Sequence, residues 1–595
     1  MHVIATAGHV DHGKSTLVRA LTGMEPDRWA QERRRGMTID LGFAWTALPS
    51  GERLAFVDVP GHERFVPNML AGVGPVPAAL VVVAADEGWM PQTAEHVAAL
   101  DALGVRHAVL AVTRADLADP RPVLRAVRDR LARTALARAA AVPVSAPTGQ
   151  GLAELRAALD DLVAGLPAPD TEAPVRLWVD RSFAIRGSGT VVTGTLGAGT
   201  LRTGDTLTLY AAGRGERPVR IRGLQSLGRP ADPVPAVARV AVNLRGIDPA
   251  AVRRGDALLT PSGWAASALI DARVDGDLAG VGSALVLHLG SAAVPVRVRP
   301  LGGAMARLTL ARPVPVAAGD VALLRDPGRH QVVGRVTVLD TEPTPLVRRG
   351  AAAARARELA EAAQGPPDPA AVLRRHGVVR AATLRATGVP VPAVAVVAGD
   401  WLVDPKLAER LRVRLGEAVA EHRQGAPIEA GPTVESLRAL LGVPDRAVVS
   451  VLVAPPLAIR DGRVVDVTAA PRLPAPVAAA VAALTRELTV APFRAPEAAR
   501  LAALGLGRRE LAAAERAGTL LRVTDGVVLP AGAERRAVAV LATIPQPFTL
   551  SQARQALGTT RRVAVPLLEL LDRRGLTRRL PDDRRSVIEA PLKSF

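Results

Sequence analysis

Gly8-His9-Val10-Asp11-His12-Gly13-Lys14-Ser15 has the G-x-x-x-x-G-K-[ST] spacing of a phosphate-binding loop, and it follows at once on the short apolar run Met1 to Thr6, which reads as a strand. Glycines at both ends let backbone N–H groups close around phosphate oxygens. A helix predicted from about Lys14 through Leu21 points its positive end at the same place, and Ser15 can hold Mg²⁺. With Thr16 these residues form the candidate nucleotide-binding run. A nucleoside triphosphate is the expected occupant.

The choice of cation sharpens this reading. Of 75 Lys+Arg residues only Lys14, Lys406 and Lys593 are lysine. At Lys14 a compact ammonium is needed and a planar guanidinium would not fit.

Reading outward, Glu32-Arg33-Arg34-Arg35-Gly36-Met37-Thr38-Ile39-Asp40-Leu41-Gly42-Phe43 is a polar, arginine-rich segment leading into an apolar strand. It suits a loop that orders itself when Thr38 reaches a metal. Leu54 to Val59 is another strand, ending at Asp58, and Pro60-Gly61-His62-Glu63 follows. An acid there can hold the metal's water shell, Gly61 can bring its N–H to a terminal phosphate, and His62 can position an attacking water. Leu80 to Ala84, a helix from Thr93, and Val109 to Asp116 come next. Asp116 can accept from N1–H and the 2-amino group of guanine, which adenine does not offer, so GTP is selected. Val142 to Ala146 is the last strand, with Ser145 and the backbone of Ala146 set to read the guanine carbonyl. Alternating strands and helices predict an α/β P-loop domain with a parallel doubly wound sheet, over residues 1–168.

These segments together resemble the translational GTPases of the elongation factor Tu type. "GMTIDLGF" (Gly36 to Phe43), preceded by Asp27-Arg28, resembles more narrowly the selenocysteine-specific elongation factors. The resemblance implies Ser15 and Thr38 as Mg²⁺ ligands, His62 as the catalytic water-positioning residue, and Val10 with Met37 as an apolar gate. Where such GTPases generally carry N-K-x-D, this chain has Thr113-Arg114-Ala115-Asp116. Arg114 can still lay its stem or plane over the base.

The proline-rich stretch Pro167 to Pro174 reads as a hinge. Short β-runs punctuated by Gly and Pro then predict one β-barrel over 174–260 and a second over 265–343. The resemblance implies that the two barrels bind the acceptor arm of an aminoacyl-tRNA. It also assigns Asp180, Arg181 and Arg239 to the aminoacyl pocket, where a selenolate would gain charge-assisted contacts that a serine hydroxyl lacks.

Residues 350–595 turn helical, and helix–turn–helix stretches followed by hairpin signals recur four times, so an α+β array of winged helices is expected. Their starts fall at Ala381, Thr433, Pro492 and Thr549. From Arg535 onward, 12 Lys+Arg face 5 Asp+Glu, which makes +7 of the whole chain's +18. In this last unit, about 535–595, Arg561 and Arg562 start a helix, and Arg578, Arg579, Arg584 and Arg585 flank the Pro581-Asp582-Asp583 turn of a wing. Pro566 is expected to kink that helix or delay its start. Resemblance of Thr549 to Arg579 to the family's RNA-binding end implies that these six arginines bind a hairpin in selenoprotein mRNA.

The chain's 595 residues suggest about four domains, and a net charge of +18 calls for a polyanionic partner. No apolar run approaches the roughly 20 residues of a membrane span. The absence of a secretory n-region and of cysteine fits the cytoplasm. The expected partners are selenocysteyl-tRNA, the mRNA hairpin and the ribosome, with GTP/GDP and Mg²⁺ as cofactors, no membrane, and a monomeric state. Two other readings compete with this one: a general aminoacyl-tRNA or initiation GTPase, which needs no RNA-reading tail, and a winged-helix DNA-binding regulator, against which the intact nucleotide motifs count.

Overall fold

The computed structural model describes residues 1–26, 38–74, 76–187, 189–278, 284–426, 428–469 and 473–588. They form two compact units, Met1–Arg375 with Val379–Ala393, and His376–Val378 with Val394–Phe595.

The first unit opens with six strands: β1 (His2–Ala7), β2 (Gly42–Ala47), β3 (Arg53–Asp58), β4 (Ala78–Ala84), β5 (His107–Thr113) and β6 (Ala140–Pro143). Their order is β2-β3-β1-β4-β5-β6. Alternation decides which residue goes to which face. Leu80 and Val82 of β4 pack under α1 (Lys14–Thr22) and Leu152–Ala164, whereas Val81 and Val83 pack with Leu70, Leu100 and Val127 on the other side. A strand buried on both faces needs an unbroken apolar run, which β4 has. The wholly parallel sheet expected from the sequence is corrected in one respect: β2 pairs antiparallel with β3, from Gly42 opposite Asp58 to Ala47 opposite Arg53. The short turn at 48–52 returns the chain directly and leaves no length for a crossover helix.

An eight-stranded sheet follows between Arg176 and Leu259. Its two outer strands, Arg176–Trp178 and Arg181–Ile185, follow one another in the chain, and between them the Asp180 N–H donates to Thr193 O at 3.0 Å, extending the ladder with Gly189–Leu196. Beyond it, six strands from Ala266 to Asp340 form a closed barrel. The barrel meets the nucleotide domain through Arg325, whose Nε and Nη2 both donate to Glu95 Oε1 of helix Pro91–Ala102, at 3.1 and 3.0 Å. Helix Ala351–Ala362 is bolted to the barrel by Arg355, inside an ion network with Asp271, Asp340 and Arg307.

In the second unit three helices and a hairpin recur three times. The first set is Pro405–Gly425, Val434–Leu441, Arg446–Leu452 and the hairpin Leu457–Arg460/Arg463–Asp466. The second runs from Ala475 to Pro530 and the third from Ala533 to Val587. Asp461 and Gly462 both have positive φ, as a two-residue hairpin turn requires. Of the expected unit starting at Ala381, one helix and the hairpin are present. Its helix, Ala381–Ala386, belongs to the first compact unit and its hairpin, Val396–Ala398/Trp401–Val403, to the second, and Pro390 and Pro392 stand where its other helix was expected. Helix Arg561–Arg573 starts on time and runs through Pro566, so the expected delay does not occur.

Candidate functional site

Four loops converge at the carboxyl edge of the first sheet. Gly13 takes φ 80° just before α1, and Asp11 φ 60°, so successive backbone N–H groups curl into a concavity suited to an anion. Lys14 is buried, and its ammonium spans this loop by donating to Gly8 O at 3.1 Å and His9 O at 2.7 Å. Gly8 N–H in turn donates to Nδ1 of the buried His96, at 3.0 Å. Burial, with Lys14 and His9 nearby, pushes His96 down to about 3 and keeps that nitrogen an acceptor. His12 is also buried and is pushed down to about 4, chiefly by burial and then by His9. Sequence reading missed His96 altogether.

Ser15 Oγ donates to Asp58 Oδ2 at 2.6 Å and lies 2.9 Å from Thr38 Oγ1. The other oxygen of Asp58 accepts from Thr6 Oγ1 at 2.7 Å. Two hydroxyls and a carboxylate meeting here are hard oxygen donors of the kind Mg²⁺ takes. Gly61 closes over this group against the backbone of His9 and Val10. His62 caps the short helix Glu63–Phe65 through Nδ1, which accepts from Arg64 N at 3.2 Å. Val10 stands beside Gly61; Met37, its expected partner in a gate, lies outside the described residues, as do Asp27 and Arg28.

On the base side, Thr113 Oγ1 donates to His12 O at 2.8 Å. Arg114 has φ 55°, and its guanidinium is held by Asp86 at 2.8 Å, Glu87 at 2.7 Å and the carbonyl of Asp11. With the head group tied down, its stem is the part left to lie on a base. Asp116 is exposed at the loop's end, and Ala115 N–H to Val144 O, at 3.2 Å, joins that loop to the Ser145–Ala146 turn. Thr16 lies in the first turn of α1.

Asp180, Arg181 and Arg239 also come together. Arg239 grips Asp180 with both terminal nitrogens, one of them at 2.9 Å from Oδ1, and its guanidinium lies 3.9 Å from the centre of the Phe43 ring. Arg181 lies 5.4 Å from the same ring and donates to Asp40 Oδ2 at 3.2 Å and Leu41 O at 2.8 Å. Sequence reading missed Phe43, Asp40, Asn68 and Arg254 here. Arg254 donates to Asp180 O at 2.8 Å, to Asn68 Oδ1 at 2.6 Å and to Asp40 Oδ1. Burial alone would raise the Asp40 pKa, but Arg254 and then Arg181 bring it below the usual carboxylate range.

The arginines of the last wing divide. Arg561 and Arg578 are exposed. Arg579 pairs with Asp583 and Arg584 with Asp582, both pairs exposed at the wing. Arg562 is a strut, donating to Gly526 O at 3.1 Å and Pro496 O at 3.2 Å of the preceding winged helix. Arg585 is corrected from the RNA-binding set: it is 8% exposed, and its Nε donates to Asp572 Oδ2 at 2.8 Å beneath the wing.

Family profiles described as "Elongation factor Tu GTP binding domain", "Selenocysteine-specific elongation factor, beta-barrel domain" and "Elongation factor SelB, winged helix" match residues 1–165, 277–345 and 539–586. The selenocysteine-specific elongation factor of Escherichia coli (strain K12) is 34% identical over 473 residues, covering 76% of this chain and 75% of that one. The protein of the same name from Desulfomicrobium baculatum is 44% identical over 263 residues, covering 44% of this chain and 41% of that one, so that match spans less than half of either protein. The crystal structure of a bacterial selenocysteine-specific elongation factor, EF-Sec, superposes with a TM-score of 0.83 at 24% identity, over 99% of this chain and 100% of that one, a likeness of fold. With a relative this similar over three quarters of both lengths, an elongation factor Tu-like GTPase domain, a barrel and a C-terminal winged helix, the chain belongs to the family of selenocysteine-specific elongation factors.

Proposed function

We propose that this chain hydrolyses GTP while delivering selenocysteyl-tRNA to the ribosome at UGA codons, and that its last winged helix tethers it to a hairpin in selenoprotein mRNA. The observation that carries the reading is the cluster around Phe43. Among the described residues there, Arg181, Arg239 and Arg254 face Asp40 and Asp180, three guanidiniums against two carboxylates. One positive charge is left over. A selenolate would neutralise it, whereas a serine hydroxyl would not, so the same tRNA is discriminated by the charge of its aminoacyl group.

In the nucleotide site Lys14 and the loop N–H groups bind the phosphates, and Asp116 selects guanine. Ser15 and Thr38 would hold Mg²⁺, with Asp58 fixing Ser15; when bound, the ion offsets charge building up between the phosphates. His62 would hold the attacking water in line, and Gly61 would bring its N–H to the terminal phosphate. Arg561, Arg578, Arg579 and Arg584 would contact the RNA backbone or stack on unpaired bases. Tethering raises the local concentration of the carrier beside its codon. A monomer working in the cytoplasm fits this role, and among the described residues no helix is long and apolar enough to cross a membrane.

The test is binding of one tRNA in its selenocysteyl and seryl forms to the GTP-loaded protein. A strong preference for the selenocysteyl form is expected, lost in Arg239→Ala. Equal affinities in the wild type would overturn the proposal.

A further inference from the structure

The carboxylate of Asp40, the side chain of Asn68 and the backbone carbonyl of Asp180 come from three separated stretches of chain, and one guanidinium holds all three. Each stretch has its own bearing. Asp40 lies two residues after Thr38, whose hydroxyl is 2.9 Å from Ser15 Oγ in the phosphate loop. Two residues of chain span at most about 7 Å, so Asp40 follows Thr38 wherever it goes. Asn68 belongs to helix Val66–Val73, which begins just after His62, and its amide donates to Ile39 O at 3.0 Å. Asp180 carries the carboxylate that pairs with Arg239 over Phe43.

We infer that Arg254 is the positioning residue through which the nucleotide loops set the aminoacyl pocket. This rests on the reading that the Asp180–Arg239 cluster receives the aminoacyl group. A planar fork with several fixed donors suits such a role, because its contacts form together only when Asp40 and Asn68 are both in place. When they are, Arg254 pins the Asp180 carbonyl, and the Asp180 side chain, also bonded by Thr193 Oγ1 at 2.6 Å, presents Arg239 in one orientation. Should Thr38 leave Ser15, Asp40 is drawn away and the fork loses an anionic anchor. The Asp180 carbonyl is then held less firmly, and the pocket loses its preorganisation. Coupling of this kind is reciprocal: the aminoacyl-tRNA must raise affinity for GTP by the factor by which GTP raises affinity for it.

The experiment measures dissociation constants of selenocysteyl-tRNA with the full-length protein in its GTP and GDP forms, for wild type, Arg254→Ala, Arg254→Lys, Asp40→Asn and Arg239→Ala. In the wild type the GTP form is expected to bind more tightly, by at least the tenfold order typical of coupled sites. Arg254→Ala and Asp40→Asn should each bring the ratio of the two constants close to one by weakening the GTP form. Arg254→Lys keeps the charge but not the fork, so it should also lose the ratio, and it serves if the alanine variant does not fold. A wild-type ratio retained in the Arg254 variants overturns the inference, as does equal weakening of both forms, the mark of a purely structural clip. A wild type without nucleotide dependence overturns it too. Arg239→Ala keeps the two ideas apart: undiminished preference for selenocysteyl over seryl there removes the pocket reading, whatever Arg254 does.

Discussion

A β-carbon on Gly61 would stand 2.4 Å from the ammonium of Lys14, 2.7 Å from the amide nitrogen of Val10 and 2.9 Å from the carbonyl carbon of His9. Lysine's flexible head can step aside, but the two backbone atoms belong to the phosphate loop and cannot. Gly61→Ala is therefore expected to push the loop after β3 off the phosphate loop. GTP affinity should fall about tenfold or more, equivalent to about 1.4 kcal/mol, while the melting temperature changes little. Fluorescent-nucleotide titration checks this, and an affinity within twofold of wild type would mean that the two loops move independently.

The histidines around the phosphate loop give stability a pH dependence whose sign can be worked out. Burial holds His96 at about 3 and His12 at about 4, against about 6.5 for histidine in the unfolded chain. Between these values the unfolded chain binds protons that the folded one does not. Stability is complete above about pH 6.5 and is lost as pH falls, each histidine contributing a slope of about 1.4 kcal/mol per pH unit. Unfolding midpoints from pH 7 down to pH 5 should show the loss, and His96→Gln, which keeps an acceptor without titrating, should make it shallower by one histidine's share while His12 keeps its own. An identical slope in that variant would clear His96 of any part.

Arg355 sits in an ion network that the protein interior makes expensive to break. Its Nε donates to the fully buried Asp271 at 2.7 Å, Nη2 reaches Asp340, and Nη1 lies 2.8 Å from Glu358. Arg307 also holds Asp271, at 2.6 and 2.9 Å, so removing Arg355 leaves that carboxylate with half its partners. Arg307 still pairs with Asp271, and Arg375 with Asp340 at 3.0 Å, so Arg355→Ala should cost about 1–3 kcal/mol, the penalty for a buried carboxylate oxygen that loses one of its donors. Urea unfolding of the variant reads this directly, and a loss below about 1 kcal/mol would show that water reaches Asp271.

These residues mark where the sequence was legible. Lys14, Ser15, Asp58 and Gly61 could be found because each lies within a few positions of a strand end, in a spacing that the chemistry dictates. The direction of β2 could not be read, since alternation in Gly42–Ala47 reports burial and says nothing of which neighbour the strand pairs with. Arg254 escaped for another reason. It lies 214 residues from Asp40 and 186 from Asn68, and no local pattern ties an arginine on one domain to an aspartate on another. His96 looked like an ordinary polar residue on a helix, and only the folded chain shows its ring turned to the Gly8 amide.

The last wing separates exposed charge from charge that holds the fold. Arg561 and Arg578 are exposed, whereas Arg585 is locked to Asp572, which also accepts from Thr577 Oγ1 at 2.6 Å. Replacing both Arg561 and Arg578 by alanine should weaken binding to an RNA hairpin and lower its salt dependence by roughly two released counterions, with thermal stability unchanged. Arg585→Ala should do the reverse, lowering the melting temperature of the last winged helix because Asp572 is left under the wing without its cation, and keeping the salt slope. Filter binding over a salt series, paired with thermal melts of the full chain, tells the two apart. If Arg585→Ala alone abolished RNA binding at unchanged stability, the buried pair would have to open in the complex, and the division drawn between these arginines would fail.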